Sequence, residues 1–115
     1  MAVEVIKNDY MIVRANDSID LTNAEEFDAA LKSAITGSSK SLIIDLSDAQ
    51  YIDSAGIQSI LTAYQRVHAK SSKMALIVAN RNMRDLIGIV NMDMLPGFYI
   101  REDIGSAEQA LADNS

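Results

Sequence analysis

The sequence has no cysteine, and that absence excludes disulfide bonds, thiolate nucleophiles and cysteine-held metals. A single histidine, His68, is too few for a histidine-based metal cluster. Tryptophan is missing and aromatic residues make up 5% of the chain, so the interior has to be aliphatic. Basic residues number 10 against 16 acidic ones, a net charge of −6. A protein that grips a nucleic-acid backbone needs clustered Lys and Arg, and no basic arm is present. No apolar run approaches the roughly 18 residues that span a bilayer. The opening "MAVEVIKNDYM" lacks the basic stretch and apolar core of a secretory signal. Together these absences point to a cytoplasmic protein with no nucleic-acid partner and no membrane insertion.

What is present is a globular composition, 49% hydrophobic and 23% charged over 115 residues. That length supplies one core of ordinary size, not two. "VEVIKN" and "YMIVRAN" are rich in β-branched and aromatic residues and predict a hairpin turning at Asn8-Asp9. "LTNAEEFDAALKSAI" then shifts to helical spacing, with Ala24, Phe27, Leu31, Ala34 and Ile35 on one stripe. Thr22 with Glu25, or Asn23 with Glu26, offers a capping box at its start, and Gly37 and the following serines end it. "SLIIDLS" and "MALIVA" read as strands buried on both faces.

Between those strands the helical period returns at Ile57, Ile60, Leu61, Tyr64 and Val67. "NMRDLIGIV" predicts a third helix with Met83, Leu86, Ile87 and Val90 inward, and "GFYI" a short strand beyond Pro96, the only proline. Met92, Met94 and Leu95 form an apolar loop cluster, either capping the sheet end or offering a partner surface. "SAEQALA" predicts a last helix, with Ser106 and Gln109 as a possible capping box. Strands alternating with helices make this an α/β fold, a mixed and largely parallel sheet of about 4–5 strands carrying about four helices. The domain is expected over residues 1–112, with 113–115 a frayed tail.

The stretch "YIDSAGIQSI", residues 51–60, places a serine where the apolar run changes its period. Ser54 could cap the helix, attack a substrate, or carry a group that is gained and lost. The hydrolase elbow G-x-S-x-G fails, because Ile52 stands where its first glycine belongs. A base is missing as well. His68 lies 14 residues further along the same predicted helix, roughly 21 Å away at about 1.5 Å per residue, and a general base must come within roughly 3 Å. Asp45, Asp48 and Asp53 do not follow the spacing of a calcium loop, and no phosphate-binding loop occurs. No enzyme activity, cofactor or metal is expected.

The run "LIIDLSDAQYIDSAGIQSI", after a β-β-α opening and before a second strand-helix pair, resembles the STAS domain. More closely, it is similar to the bacterial anti-sigma factor antagonists. There the pattern strand–Asp-Leu-Ser–several residues–(Met/Ile)-Asp-Ser-(Ser/Ala)-Gly ends in a serine that a kinase phosphorylates. The resemblance runs from Val3 to about Leu111 and is sharpest at Asp53-Ser54-Ala55-Gly56. It implies that Ser54 is the phosphoacceptor, and that Asp53, Ala55, Gly56 and Ile57 shape the loop a partner reads. Asp20 matches the family's acidic position in the loop before the first helix. One departure is "DSID", with Asp17 where members commonly carry glycine; Asp tolerates a left-handed backbone better than most residues. The implied partners are an anti-sigma factor with serine-kinase activity and a PPM-type serine phosphatase.

The physics of a helix start bears on each reading. Its first N–H groups lack intrahelical partners, so a capping serine there contributes about 1 kcal/mol. The same groups and the helix dipole favour an anion, and a phosphate on Ser54 would bring about −1.5 to −2 charges at little cost to the fold. Gly56 is expected to leave the first turn uncrowded for a partner's approach. Arg81 follows a predicted strand whose C-terminal end shares an edge with the others, so it is expected near Ser54. The expected function is a phosphorylation-controlled partner switch. The alternatives are a non-cycling STAS scaffold, of stressosome or lipid-transport type, and a nucleotide-sensing module.

Overall fold

A computed structural model describes residues 3–7, 10–37, 40–89 and 91–112, with the side chain of Lys7 excepted. The Asn8-Asp9 turn, the serines after Gly37, Val90 and the 113–115 tail lie outside the described residues. Five strands and four helices follow one another as β1 Val3–Lys7, β2 Met11–Ala15, α1 Ala24–Thr36, β3 Leu42–Asp45, α2 Ser54–Ala69, β4 Met74–Ile77, α3 Arg81–Ile89, β5 Phe98–Arg101 and α4 Ile104–Ala112. The sheet order is β1-β2-β3-β4-β5. Among the described residues only β1 and β2 run antiparallel; β2, β3, β4 and β5 are parallel neighbours. The mixed, largely parallel sheet is as the alternation of periods predicts.

Register explains how so short a chain builds two packed layers. Met11, Leu42, Met74 and Phe98 stand in one row across the parallel strands, while Ile12, Ile43, Ala75 and Tyr99 fill the next. Successive strand residues point to opposite faces, so the rows serve different cores. The first row joins Phe27, Leu31, Ile60, Val67, Met83 and Ile87 in the larger core under α1, α2 and α3. The second packs beneath Ala107 and Leu111 of α4. Three crossovers stepping the same way across the sheet, all right-handed as such connections are, put their helices on one face, which leaves α4 to cover the other.

The α1 stripe is buried at all five expected positions. On α2, Ile60, Tyr64 and Val67 are buried while Ile57 and Leu61 are half-buried against the core. Met92 is buried and Leu95 packs on the core, closing the sheet end, whereas Met94 is exposed. Asp45, buried inside β3, is fully engaged: Arg14 Nε donates to Oδ2 at 3.0 Å, and Ser47 donates its N–H (3.0 Å) and hydroxyl (2.7 Å) to Oδ1. Burial pushes this carboxyl up, and the Ser47 and Arg14 hydrogen bonds outweigh it, holding the group below its ordinary value.

One expected helix start is corrected, and at another the cap falls on an expected residue without the expected bond. The last helix begins at Ile104, because Asp103 Oδ1 accepts from Ser106 N at 2.8 Å and Asp103 O from Ala107 N. Ser106 therefore lies inside the first turn rather than capping it. At α1 the cap position is Asn23, whose side chain makes no cap bond. It turns back instead, accepting from Asp20 N and donating to Ser18 O. Among the described residues, no helix is long and apolar enough to cross a membrane.

Candidate functional site

The C-terminal ends of parallel strands share one edge of the sheet, and the loops leaving them meet there. The loop from β2 to α1 and the loop from β3 to α2 are stitched by a short parallel bridge, Ile19 to Ile52. Ile19 N donates to Tyr51 O at 3.2 Å, and Asp53 N donates to Ile19 O at 3.1 Å. Ile19 and Ile52 are buried. Alternation then turns Ser18, Asp20, Tyr51 and Asp53 the other way, toward the surface. Two apolar residues placed one per loop thus fix which polar groups meet outside.

Asp53 is the hub of this arrangement. As N-cap of α2, its Oδ1 accepts from Ala55 N (3.0 Å) and Gly56 N (3.1 Å), and its Oδ2 accepts from Leu21 N (3.1 Å). Its backbone carbonyl takes Ile57 N. Ser54 is thereby the first residue of the helix, not its cap, and it is exposed. The expected open anion site is also corrected: the protein's own carboxylate already occupies the amides of Ala55 and Gly56.

Gly56 has a different role from the one expected of it. It is buried, and a Cβ there would sit 2.5 Å from Ile52 Cγ1 and 2.7 Å from Ile19 Cγ2. The missing side chain lets the helix close onto the stitched isoleucines; it does not clear space for a partner. Ala55 and Ile57 are half-buried against the core. The exposed atoms at the helix start therefore belong chiefly to Ser54.

Asp20 lies in the same unit. Its Oδ1 accepts from Thr22 N and Thr22 Oγ1, and its Oδ2 from the Tyr51 hydroxyl at 2.8 Å. Those hydrogen bonds, Thr22's first, hold its carboxyl below the ordinary carboxylate value, and the bond to Asp20 pushes the Tyr51 phenol up. Asp17 accepts from Ser18 N at 2.8 Å. The left-handed backbone expected of it is not used; among the described non-glycine residues only Ser71 and Asn91 have positive φ.

The loop after β4 joins at the same edge, where Asn80 Nδ2 donates to Gln50 O at 3.1 Å. Asn80 Oδ1 also accepts from Asn82 N and Met83 N and so starts α3. Arg81 follows it, exposed. Among the described residues, no hydrogen bond or ion pair joins Arg81 to Ser54. His68 lies near the far end of α2, stacked on Tyr64 with ring centroids 5.4 Å apart.

Sequence reasoning passed over Ser18, Leu21 and Tyr51 of this unit and gave Asn23 only a capping role. Ser18 Oγ accepts from Gln50 N and Tyr51 N, and Asn23 braces the loop, so both hold the two segments together. Leu21 and Tyr51 stand exposed, at 81% and 49%. Leu21 precedes the Asn23 cap of α1, so helical periodicity does not reach it.

A model of the STAS domain matches residues 1–107. Among solved structures, an anti-sigma factor antagonist from Mycobacterium paratuberculosis superposes with a TM-score of 0.85 at 20% identity, covering 97% of this chain and 94% of that one. A putative anti-sigma factor antagonist from Thermotoga maritima gives 0.82 at 19% identity, over 97% and 94%. The Bacillus cell fate determinant SpoIIAA in its phosphorylated form gives 0.70 at 16% identity, over 94% and 98%. With the family pattern spanning nearly its whole length and the fold shared throughout, the chain belongs to the STAS domain family.

Proposed function

We propose that this protein is an anti-sigma factor antagonist that switches partners through phosphorylation of Ser54. With the hydroxyl free, it binds an anti-sigma factor that is also a serine kinase, releasing the sigma factor. The kinase then transfers the terminal phosphoryl group of ATP to Ser54 Oγ, the hydroxyl proton passing to a base of the kinase and ADP leaving. The complex parts, and a PPM-type phosphatase hydrolyses the ester to restore the serine. The chain is substrate and ligand in this cycle, and its own side chains perform no catalysis.

The observation that carries this reading is the exposed Ser54 beside an Asp53 that has already taken the neighbouring amides. A phosphate attached there finds those donors engaged and lies beside the carboxylate of Asp53. Its charge is left for the docking face to absorb. Burying a charge that the docking face leaves incompletely paired costs several kcal/mol, and about 3 kcal/mol weakens binding on the order of a hundredfold. The fold need not move. A nucleotide-sensing role draws less support, because a bound phosphate would compete with Asp53 for the same two amides.

The test is incubation with the candidate anti-sigma factor kinase and ATP. One phosphate per chain, on Ser54, with loss of the complex supports the switch. Stable complex formation indifferent to Ser54→Asp would favour a scaffold instead.

A further inference from the structure

Leu21 and Tyr51 are large apolar side chains held in solvent by a rigid support. Leu21 is pinned through its own N–H to Asp53 Oδ2, the residue next to Ser54. Tyr51 is pinned through its hydroxyl to Asp20 Oδ2, the residue next to Leu21. The stitched pair Ile19 and Ile52 lies beneath both. Exposed apolar residues scattered singly need no explanation. These two belong to one hydrogen-bonded unit with the serine, and their backbones are already ordered before any partner arrives. Anchors ordered in advance lose little freedom on binding.

The charges around them specify the partner's chemistry. Residues 16–23 and 46–53 carry four carboxylates, Asp17, Asp20, Asp48 and Asp53, and no Lys or Arg. Arg81 follows Asn80, whose side chain bonds Gln50 O, and is the exception at the start of α3. A second copy of the chain would set four carboxylates against four, which disfavours self-association through this edge.

We propose that Leu21 and Tyr51 are the two apolar anchors by which this edge seats in its protein partner, in an apolar recess rimmed by Arg and Lys. This rests on the partner-switch reading and assigns the residues that supply its affinity. The serine then acts as the gate, since a phosphate on the residue after Asp53, which holds Leu21 N, spoils a fit that the anchors provide. Cationic rim groups steer association and weaken with salt.

The test titrates the full chain against the purified anti-sigma factor kinase, comparing wild type with L21A, Y51A, Y51F and S54D. L21A and Y51A should each lose about tenfold or more in affinity; L21A should keep its melting temperature, because that side chain is exposed, and Y51F separates loss of the Asp20 hydrogen bond from loss of the ring. Y51F, which keeps the ring, should stay within a few-fold of wild type, and raising salt from about 0.05 to 0.5 M should slow association. If L21A and Y51A bind like wild type while S54D is blocked, the anchor assignment is wrong and the switch stands. Failure of wild type to bind any such kinase overturns both. Concentration-dependent dimers that L21A abolishes would make the occupant a second copy and overturn the assignment.

Discussion

Two oxygens of Asp53 hold together what the site needs. One caps α2 and the other ties down the neighbouring loop at Leu21 N. Loss of a cap costs about 1 kcal/mol, and the tie adds a further hydrogen bond worth about 1 kcal/mol. Asp53→Ala should therefore lower stability by about 1–2 kcal/mol in urea denaturation and broaden the NMR signals of residues 20–23. Gly56→Ala should also destabilise. Its Cβ would lie within 3 Å of atoms of both Ile19 and Ile52, and overpacking of about 1–3 kcal/mol competes with a helix-propensity gain of up to about 1 kcal/mol. The net loss should be about 1–2 kcal/mol.

Tyr51→Phe probes the same unit through protonation. Asp20's folded value lies below the ordinary one of about 3.9. The stability that this supplies is present above the ordinary value and lost as pH falls through the folded one. Removing the phenol hydroxyl takes away a donor, so Asp20's midpoint in an NMR carboxyl titration should move upward in Y51F.

At the scale of elements, α4 guards the face that the other helices leave bare. Leu111 is buried against the row of Ile12, Ile43 and Ala75, and truncating a buried leucine costs about 2–5 kcal/mol. Leu111→Ala should fall near the lower end, because it sits close to the helix terminus and can relax; urea denaturation measures it. The elements themselves were legible in the sequence because their periods differ sharply. Five α1 residues at helical spacing, and the unbroken runs around Ile43–Ile44 and Leu76–Ile77, admit few other readings.

Helix starts were less legible, for a physical reason. Asp, Asn and Ser are all good caps, and at α2 and α4 the aspartate one or three residues earlier took the position expected of a serine. The site was half legible. A serine at a strand-to-helix turn shows in the sequence, and so does the acid before it. That the amides were already occupied, that Gly56 faces inward, and that Leu21 faces outward all depend on how two distant loops pair through Ile19 and Ile52. Nothing local encodes that pairing.

For the whole molecule, charge and architecture divide the work. The net charge of −6 favours cationic surfaces as partners, and the sheet supplies the edge on which the proposed modification of Ser54 would change the surface while the fold stays. Asp45 and Arg14 tie two parallel strands beneath that edge. Asp45's lowered value means that its contribution is present near neutral pH and fades as acid approaches its folded value. The most direct test of the central claim is calorimetric titration of the anti-sigma factor kinase with the unmodified chain and with the chain phosphorylated at Ser54. Affinity should fall on the order of a hundredfold while the NMR spectrum away from the loops at 16–23 and 46–57 stays unchanged. Equal affinity of the two forms would contradict the account.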